Sequence, residues 1–225
     1  HARSRSGCES PRAIGVIAPS ERPLCVKVCG ITRAADALAA IEAGADLLGF
    51  NFYPKSPRYI TPEAAAPIVA LLPRQVLAVG IFVDADAVAV QAAVETAKLG
   101  LLQFHGNESP EYCRGFGVPA MKALRIGSFV DLERASAPYP DGWLLADTAD
   151  PTCYGGTGRA LPIEPVAREL ARRLFVAGGL DPDTVTDVVR RLRPLGVDVC
   201  SGVERAPGIK DHALLRDFVI HAKTA

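Results

Sequence analysis

Apolar and polar positions along the chain follow two alternating patterns from Leu24 onward. Short runs rich in Val, Ile and Leu, bounded by turn formers, are typical of strands, and the longer stretches between them have helical composition. The runs predict eight strands, at 25–29, 47–52, 76–83, 101–105, 120–124, 143–147, 174–177 and 197–200. Helical patterns follow them at 33–43, 62–72, 86–97, 110–114, 128–135, 162–173, 182–193 and 211–221.

Capping residues mark several of the predicted helix starts. The triplets Thr61-Pro62-Glu63, Ser109-Pro110-Glu111 and Asp181-Pro182-Asp183 each place a side-chain acceptor before a proline of the first turn. Strand starts recur every 19 to 31 residues, a spacing that suits one strand and one crossover helix. The pattern therefore predicts an α/β fold, an eight-stranded parallel (β/α)8 TIM barrel that forms a single domain over residues 24–225.

An open, doubly wound sheet would show the same alternation, and the placement of polar residues favours the barrel instead. Candidate polar residues or glycines follow or end nearly every predicted strand, whereas the opposite strand ends show no comparable set. In a barrel these ends meet at one face, and that face carries the active site. The residues concerned are Cys29, Asn51, Asp84, His105, Lys122, Asp147, Gly178-Gly179 and Ser201-Gly202.

Composition narrows the class of function. The chain has 225 residues, 49% of them hydrophobic, and its 25 cationic side chains balance 25 acidic ones. The hydrophobic content is enough to form a sizeable core. The chain has no excess of one charge that would favour binding to nucleic acid or to a membrane surface, so a small-molecule ligand fits better. Monomer and homodimer both stay open.

Segments that would direct the chain to a membrane or out of the cell are not apparent in the sequence. No apolar run approaches the length of a membrane span, and no signal-peptide pattern occurs, which predicts a cytoplasmic protein. Residues 1–23 carry little periodicity, and we interpret them as an N-terminal tail or an expression remnant outside the fold.

The chain has six cysteines: Cys8, Cys25, Cys29, Cys113, Cys153 and Cys200. They form no Cys-X-X-Cys pair, which argues against a disulfide framework or a zinc site, and no metal is predicted. Cys25, Cys113 and Cys200 are interpreted as small buried hydrophobes. Cys29 differs, because it stands at the tip of the first predicted strand with Lys27 on the same face. A neighbouring cation lowers a thiol pKa from about 8.5 toward neutrality, as a general base requires.

Asp147 ends the sixth predicted strand and has two interpretations. It either caps the following loop, as Asp often does at a turn, or stays protonated through partial burial and delivers a proton to a leaving oxygen. The sequence leaves both open. A thiol and a carboxylic acid that face one pocket can share acid–base work.

Glycines follow the seventh and eighth predicted strands, as Gly178-Gly179 and Ser201-Gly202. These are the barrel loops that most often bind phosphate, since glycine lets backbone N–H groups approach closely, and a phosphate site is predicted there. The stretch 155–158 is either another loop of the rim or a connector.

Two further polar residues are candidates for the site. Arg58 offers a planar donor group suited to a carboxylate. His105 is interpreted as a structural or supporting histidine rather than a catalytic base, because no carboxylate partner for it is apparent nearby in sequence.

Seven motifs in order resemble phosphoribosylanthranilate isomerases of tryptophan biosynthesis, over about residues 24–221. They are Lys27-Val28-Cys29-Gly30-Ile31-Thr32, the run from Gly49 to Arg58, Gln103-Phe104-His105-Gly106, Leu145-Ala146-Asp147-Thr148, Gly155-Gly156-Thr157-Gly158, Gly178-Gly179-Leu180 and the run from Asp198 to Glu204. The resemblance implies an Amadori rearrangement of N-(5-phosphoribosyl)anthranilate to 1-(2-carboxyphenylamino)-1-deoxyribulose 5-phosphate, without metal or organic cofactor.

The resemblance also implies roles for the matching residues. Cys29 would be the general base, Asp147 the general acid, and Arg58 would lie near the anthranilate carboxylate. The phosphate would lie at Gly178, Gly179, Ser201 and Gly202. Lys27, His105 and Asp198 join Arg58 as candidate substrate-binding residues.

Two departures from the family pattern concern binding. Cys200 stands where the family commonly has Ser, which removes a hydroxyl donor, and the stretch after Gly158 lacks the usual Phe-Asp-Trp. Three alternatives are less well supported: a carbon–carbon lyase or synthase, expected to carry catalytic Lys and Glu at strand ends; a histidine-pathway isomerase, expected to have Asp in place of Cys29; and a non-catalytic phosphometabolite sensor.

Overall fold

Eight parallel strands close into a barrel in chain order, and the last strand pairs with the first. The computed structural model describes residues 24–127, 130–148 and 166–225. The strands are β1 Cys25–Val28, β2 Leu47–Asn51, β3 Leu77–Phe82, β4 Leu101–Phe104, β5 Ala120–Ile126, β6 Trp143–Thr148, β7 Leu174–Ala177 and β8 Gly196–Val199. The predicted barrel is confirmed, and the open sheet is excluded because β8 closes on β1.

Helices lie between consecutive strands and cover the outside of the barrel. They are α1 Ala34–Ala43, α2 Pro62–Val69, α3 Ala87–Ala97, α4 Pro110–Cys113, α5 Val130–Ser136, α6 Arg168–Ala171, α7 Val185–Leu192 and α8 His212–Lys223. None of these described helices is long and apolar enough to cross a membrane. The predicted tail at 1–23 and the glycine stretch at 155–158 lie outside the described residues.

Two of the predicted caps hold and one is displaced. The Thr61 hydroxyl accepts the N–H of Ala64, and the Ser109 hydroxyl accepts the N–H of Tyr112, each at 3.2 Å. The predicted start of α7 at residue 182 is wrong, since the helix begins at Val185. The Asp181 carboxylate instead accepts the N–H of Thr184 at 2.9 Å, which closes a turn ahead of the helix.

The apolar side chains form two layers on opposite faces of the strands. One cluster fills the inside of the barrel, and a larger one packs between strands and helices. The inner cluster is Leu47, Val79, Leu101, Met121, Ala123, Leu145, Phe175 and Ala177. Side chains alternate along a strand, so Lys27, Asp147 and Asp198 share the inner face and stand above this cluster, toward the barrel mouth.

Lys122 lies on the other face, contrary to the expectation that it belongs to the functional rim. Its neighbours Met121 and Ala123 point inward, so its ammonium points outward, where it contacts the Glu108 carboxylate at 3.0 Å. Both side chains are buried. Glu108 also accepts the N–H groups of Asp84 at 2.8 Å and Gly106 at 2.9 Å, so the pair ties together the loops after β3 and β4.

Replacing Lys122 with methionine should destabilise the fold by about 3 to 5 kcal/mol, because it leaves the buried Glu108 carboxylate without its cation. The matched control is Arg191→Met on α7, where the pair with Asp187 spans 3.4 Å and both side chains are more than half exposed. That change should cost less than about 1 kcal/mol. Urea unfolding midpoints measure both, and equal losses would contradict the structural role given to Lys122.

Candidate active site

Strands β1 and β8 build one side of the barrel mouth. Their register places Lys27 opposite Asp198 and Val28 opposite Val199. The Lys27 ammonium contacts the Asp198 carboxylate at 2.9 Å, and the lysine has no exposed surface. The amide of Cys29 continues the ladder by donating to the Val199 carbonyl at 2.8 Å. The Cys29 thiol therefore lies one step above a buried ion pair, at the rim.

Cys29 is surrounded by groups that favour its thiolate. A hydrogen bond from the Cys200 thiol is the largest cause that lowers the Cys29 pKa, and the Lys27 and Lys210 ammonium groups add to it, outweighing the opposite effect of burial. The result is a pKa well below the usual thiol range. Cys113 shows the contrast: it is buried among apolar groups, and burial raises its pKa to about 11.

A second ion cluster lies beside Cys29, formed by Arg58, Glu204 and Lys210. The Arg58 Nε lies 3.0 Å from Glu204 Oε1, and its Nη2 lies 2.6 Å from Oε2. The Lys210 ammonium donates to Glu204 Oε1 at 2.9 Å and to the Cys29 carbonyl at 2.6 Å. Burial opposes ionisation of Glu204, but these two cations outweigh it and lower the Glu204 pKa.

Gly30 makes this close packing possible. It has φ +76°, and a Cβ there would lie 2.6 Å from Cδ of Arg58 and 3.1 Å from Sγ of Cys200. Any larger residue would push the arginine stem away from the thiols.

When Asp198 and Glu204 are ionised, the charges around Cys29 balance if the thiol is ionised as well. Lys27, Arg58 and Lys210 are three cations, whereas Asp198 and Glu204 supply two anions. A thiolate at Cys29 completes the balance, which physically accounts for its low pKa. Burial raises the Asp198 pKa to about 7, with the Cys29 thiolate adding to that effect and Lys27 opposing it. Ionisation of Cys29 therefore raises the pKa of Asp198, the partner of Lys27.

Across the mouth, Asp147 lies on the inner face one residue before the end of β6 and pairs with His105. The His105 Nε2 lies 3.1 Å from Asp147 Oδ2, with 22% and 27% of the two side chains exposed. The buried Gln103 amide lies 3.4 Å from the other ring nitrogen and so orients the imidazole. No carboxylate partner for His105 is apparent nearby in sequence, and the structure supplies one from a distance, since Asp147 reaches it from a strand 42 residues further on. The pair can hold one proton between ring nitrogen and carboxylate.

The loops after β7 and β8 meet at the third side of the mouth. Gly178 and Gly179 have φ values of +94° and +67°, a backbone region that favours glycine. A Cβ on Gly202 would overlap the Leu180 carbonyl, so glycine is required where the two loops touch. Ser201 is exposed at the start of a 3-10 turn, Ser201–Val203. The four residues predicted to bind phosphate are therefore brought together.

The candidate residues thus converge on one face, with two qualifications. Lys27 is fully buried beneath Cys29, so it supports the thiol rather than offering a free donor to a substrate. Arg58 is partly exposed and uses one edge of its guanidinium on Glu204, and among the described residues no hydrogen bond engages its Nη1.

From the sequence, Lys210 is not identified as a site residue, and Cys200 is assigned only a packing role. Cys113 is a buried hydrophobe as predicted, but the sulfur of Cys200 stands in the site and contacts Cys29. Lys210 lies on a small hairpin, β9 Glu204–Ala206 and β10 Ile209–Lys210, that had no sequence signal of its own. Pairing the first and last predicted strands in register would have exposed the role of Cys200.

Comparisons with known proteins agree with this geometry. Residues 26–221 match the family model for N-(5'phosphoribosyl)anthranilate (PRA) isomerase. The N-(5'-phosphoribosyl)anthranilate isomerase of Trichlorobacter lovleyi is 48% identical over 203 residues, which cover 89% of this chain and 98% of that one. The corresponding enzyme of Hahella chejuensis is 44% identical, over 86% and 91% of the two chains.

Solved structures extend the similarity to the fold. The phosphoribosyl anthranilate isomerase of Thermotoga maritima superimposes with a TM-score of 0.79 at 37% identity, covering 90% of this chain and all of that one. A second such structure, in complex with reduced 1-(o-carboxyphenylamino)-1-deoxyribulose 5-phosphate, has a TM-score of 0.79 at 36% identity, with 90% and 100% coverage.

Proposed function

Because this chain belongs to the N-(5'-phosphoribosyl)anthranilate isomerase family, we propose that Cys29 and Asp147 are its general base and general acid. The enzyme catalyses the Amadori rearrangement of N-(5'-phosphoribosyl)anthranilate to 1-(2-carboxyphenylamino)-1-deoxyribulose 5-phosphate in tryptophan biosynthesis. One observation carries the assignment of roles. A thiol with a strongly lowered pKa stands across one barrel mouth from a carboxyl group paired with an imidazole.

The reaction opens the furanose ring and moves one proton from carbon to carbon. Asp147 donates a proton to the ring oxygen as the C1–O bond breaks, which leaves an iminium at C1. The Cys29 thiolate then removes the proton from C2, and the electron pair of that C–H bond neutralises the iminium to give an enolamine. A thiol whose pKa lies well below the usual thiol range suits this step, since the iminium has made the C2 proton acidic.

Return to the starting protonation states follows from the same two groups. Ketonisation adds a proton at C1 and releases one from the oxygen on C2. If Cys29 returns its proton to C1 and the Asp147 carboxylate accepts the hydroxyl proton, both residues are reset. The imidazole of His105, at 3.1 Å from Asp147, can hold that proton between turnovers.

Substrate orientation is assigned to groups on the other sides of the mouth. The free edge of Arg58 is suited to the anthranilate carboxylate, because a guanidinium donates in the plane of a carboxylate. His105 at the mouth and Asp198 in the ion pair below Cys29 stay candidate substrate-binding residues. The loops after β7 and β8 offer their backbone N–H groups to the phosphate.

Loss of anthranilate fluorescence when the enzyme is mixed with phosphoribosylanthranilate tests the function directly. A lyase or a non-catalytic sensor would leave that signal unchanged. The relative from Thermotoga maritima is described as dimeric. Whether this chain is a monomer or a homodimer, and its cytoplasmic location, stay predictions.

Replacing Gly179 with leucine should raise KM more than it lowers kcat, because the side chain blocks the approach of the phosphate while Cys29 and Asp147 are untouched. The inhibition constant of inorganic phosphate should rise in parallel. Gly117→Leu is the matched control: its φ is +65°, close to the +67° of Gly179, and nothing lies within 4 Å of its added Cβ. A loss of kcat at unchanged KM in the Gly179 variant would contradict the phosphate assignment.

A further inference from the structure

We propose that Cys200 is a positioning residue for the general base, and that its thiol donates a hydrogen bond which holds Cys29 in the thiolate form. This inference rests on the base role proposed for Cys29. Cys200 thereby acts through another residue and does not itself exchange protons with the substrate.

The register of β1 and β8 brings the two thiols together. Lys27 faces Asp198 on the inner side of the barrel, and Cys29 and Cys200 are the next residues on that side of each chain. The 2.8 Å bond from the Cys29 amide to the Val199 carbonyl fixes this pairing. Adjacent strands run about 4.8 Å apart, so paired side chains on one face are direct neighbours. The two thiols are therefore side-by-side neighbours at the barrel mouth, where the S–H of one can be directed at the sulfur of the other.

The Cys200 thiol has two acceptors and can change between them. Its sulfur lies 3.9 Å from Glu204 Oε1, which accepts the S–H when Cys29 carries its own proton. Once Cys29 ionises, the thiolate is a charged acceptor that competes for the same S–H. Each turnover protonates and deprotonates Cys29, so the alternative acceptor keeps the Cys200 proton satisfied in both states.

Cys200 itself stays protonated, as a donor must. The bond to Cys29 is the largest cause that raises the Cys200 pKa well above its usual value, and burial adds to it, although Lys210 and Arg58 oppose the shift. Two thiolates in contact would repel each other, so one sulfur ionises and the other remains a thiol. Cys29 is the sulfur that ionises, since it lies two residues from Lys27 on the same face of β1 and the Lys27 and Lys210 ammonium groups lower its pKa.

The other charged groups that face Cys29 are Lys27 on β1, Asp198 on β8, Arg58 from the loop after β2, and Lys210 with its partner Glu204 on the hairpin. The Lys210 ammonium bonds to the backbone carbonyls of Cys29 and Cys200 at 2.6 and 3.2 Å. These contacts do not depend on the Cys200 side chain. Lys210 also donates to the Cys200 sulfur at 3.9 Å, so substitution of Cys200 removes that contact together with the S–H donor, while the two carbonyl bonds keep the ammonium in place.

The test is the pH at which Cys29 becomes reactive, measured as the rate of alkylation by iodoacetamide and followed for the Cys29 peptide by mass spectrometry. Cys200→Ala should raise the midpoint of this curve by about one pH unit, the effect of one hydrogen bond to a charged group. The acid limb of kcat/KM should move by the same amount, with kcat recovered at alkaline pH. Cys200→Ser keeps a donor and should stay within about half a unit of the parent enzyme.

Cys113→Ala is the control for loss of a buried thiol outside the site, and both of its curves should coincide with those of the parent. If Cys200→Ala does not fold, Cys200→Val can be used instead, because it fills the space of the thiol without a donor and tests the same hydrogen bond. An unchanged midpoint in these variants, or an increase in KM alone, would overturn the proposal. Alkylation does not require turnover, so failure of the base role appears separately, as an active Cys29→Ala enzyme.

Discussion

Replacing Cys29 with alanine is expected to lower kcat by on the order of a hundred- to ten-thousand-fold, the usual effect of removing a general base. The thiolate acts on the C2 proton in the chemical step and makes little contact with the ground-state substrate. Binding of a reduced product analogue should therefore persist near the affinity of the parent enzyme. Single-turnover fluorescence gives the chemical rate, and titration with the analogue gives the affinity.

Cys29→Ser should be almost as inactive, because a serine hydroxyl does not ionise near neutral pH even beside Lys27 and Lys210. The control is Cys25→Ala, which removes a thiol from the same strand, below the ion pair, where it packs against the inner apolar cluster. That variant should keep its turnover. A near-normal kcat in Cys29→Ala would contradict the base role. Cys29 would then be a packing residue, and the general base would be unidentified.

The strands could be predicted closely because their signal is local. Leu174–Ala177 agrees at both ends, and the other seven strands differ from the prediction by one or two residues at an end. A run of β-branched and aliphatic residues between turn formers needs no knowledge of its neighbours. The start of α7 was misplaced for the same reason, since Asp181 has the local pattern of a cap yet closes a separate turn.

The contacts that make the site work are not local, and this is why sequence reasoning missed them. His105 meets Asp147 across 42 residues, and Arg58 meets Glu204 across 146. Such pairs depend on strand register and on which loops touch, and no pattern within one segment encodes either. Lys210 is the clearest example, because the residues next to it in sequence do not indicate that its ammonium lies beside two thiols.

The barrel also explains why buried charge accumulates on one side of the mouth. Lys27 and Asp198 pair on adjacent strands, and the Arg58–Glu204–Lys210 cluster packs against them from two loops. Ions without solvent must be neutralised by one another. When both carboxylates are ionised, the cluster carries one surplus positive charge, and the Cys29 thiolate neutralises it. The fold therefore favours the reactive thiolate of Cys29 before any substrate binds.

Asp147→Asn is expected to be nearly as damaging as loss of Cys29, within the same range of about a hundred- to ten-thousand-fold in kcat. The amide keeps the shape of the side chain and a donor, but it cannot transfer a proton to the opening ring oxygen. The matched control is Asp84→Asn, a rim carboxylate that accepts the N–H of Asn107 at 2.6 Å and ties two loops together. That change should lower thermal stability and leave turnover close to normal.

The pH profile of kcat/KM adds a test that does not depend on stability. In the parent enzyme it should be bell-shaped, rising as Cys29 ionises and falling as the acid loses its proton. The lowered Cys29 pKa places the rising limb below the usual thiol range. Coupling between the groups means that each limb belongs to the set rather than to one residue. In Asp147→Asn the shape of the profile should change, because one ionisable member of the set is gone. Normal turnover in this variant, beside an inactive Cys29→Ala enzyme, would mean that the ring opens by another acid, and Asp147 would then be a loop-capping residue held by His105.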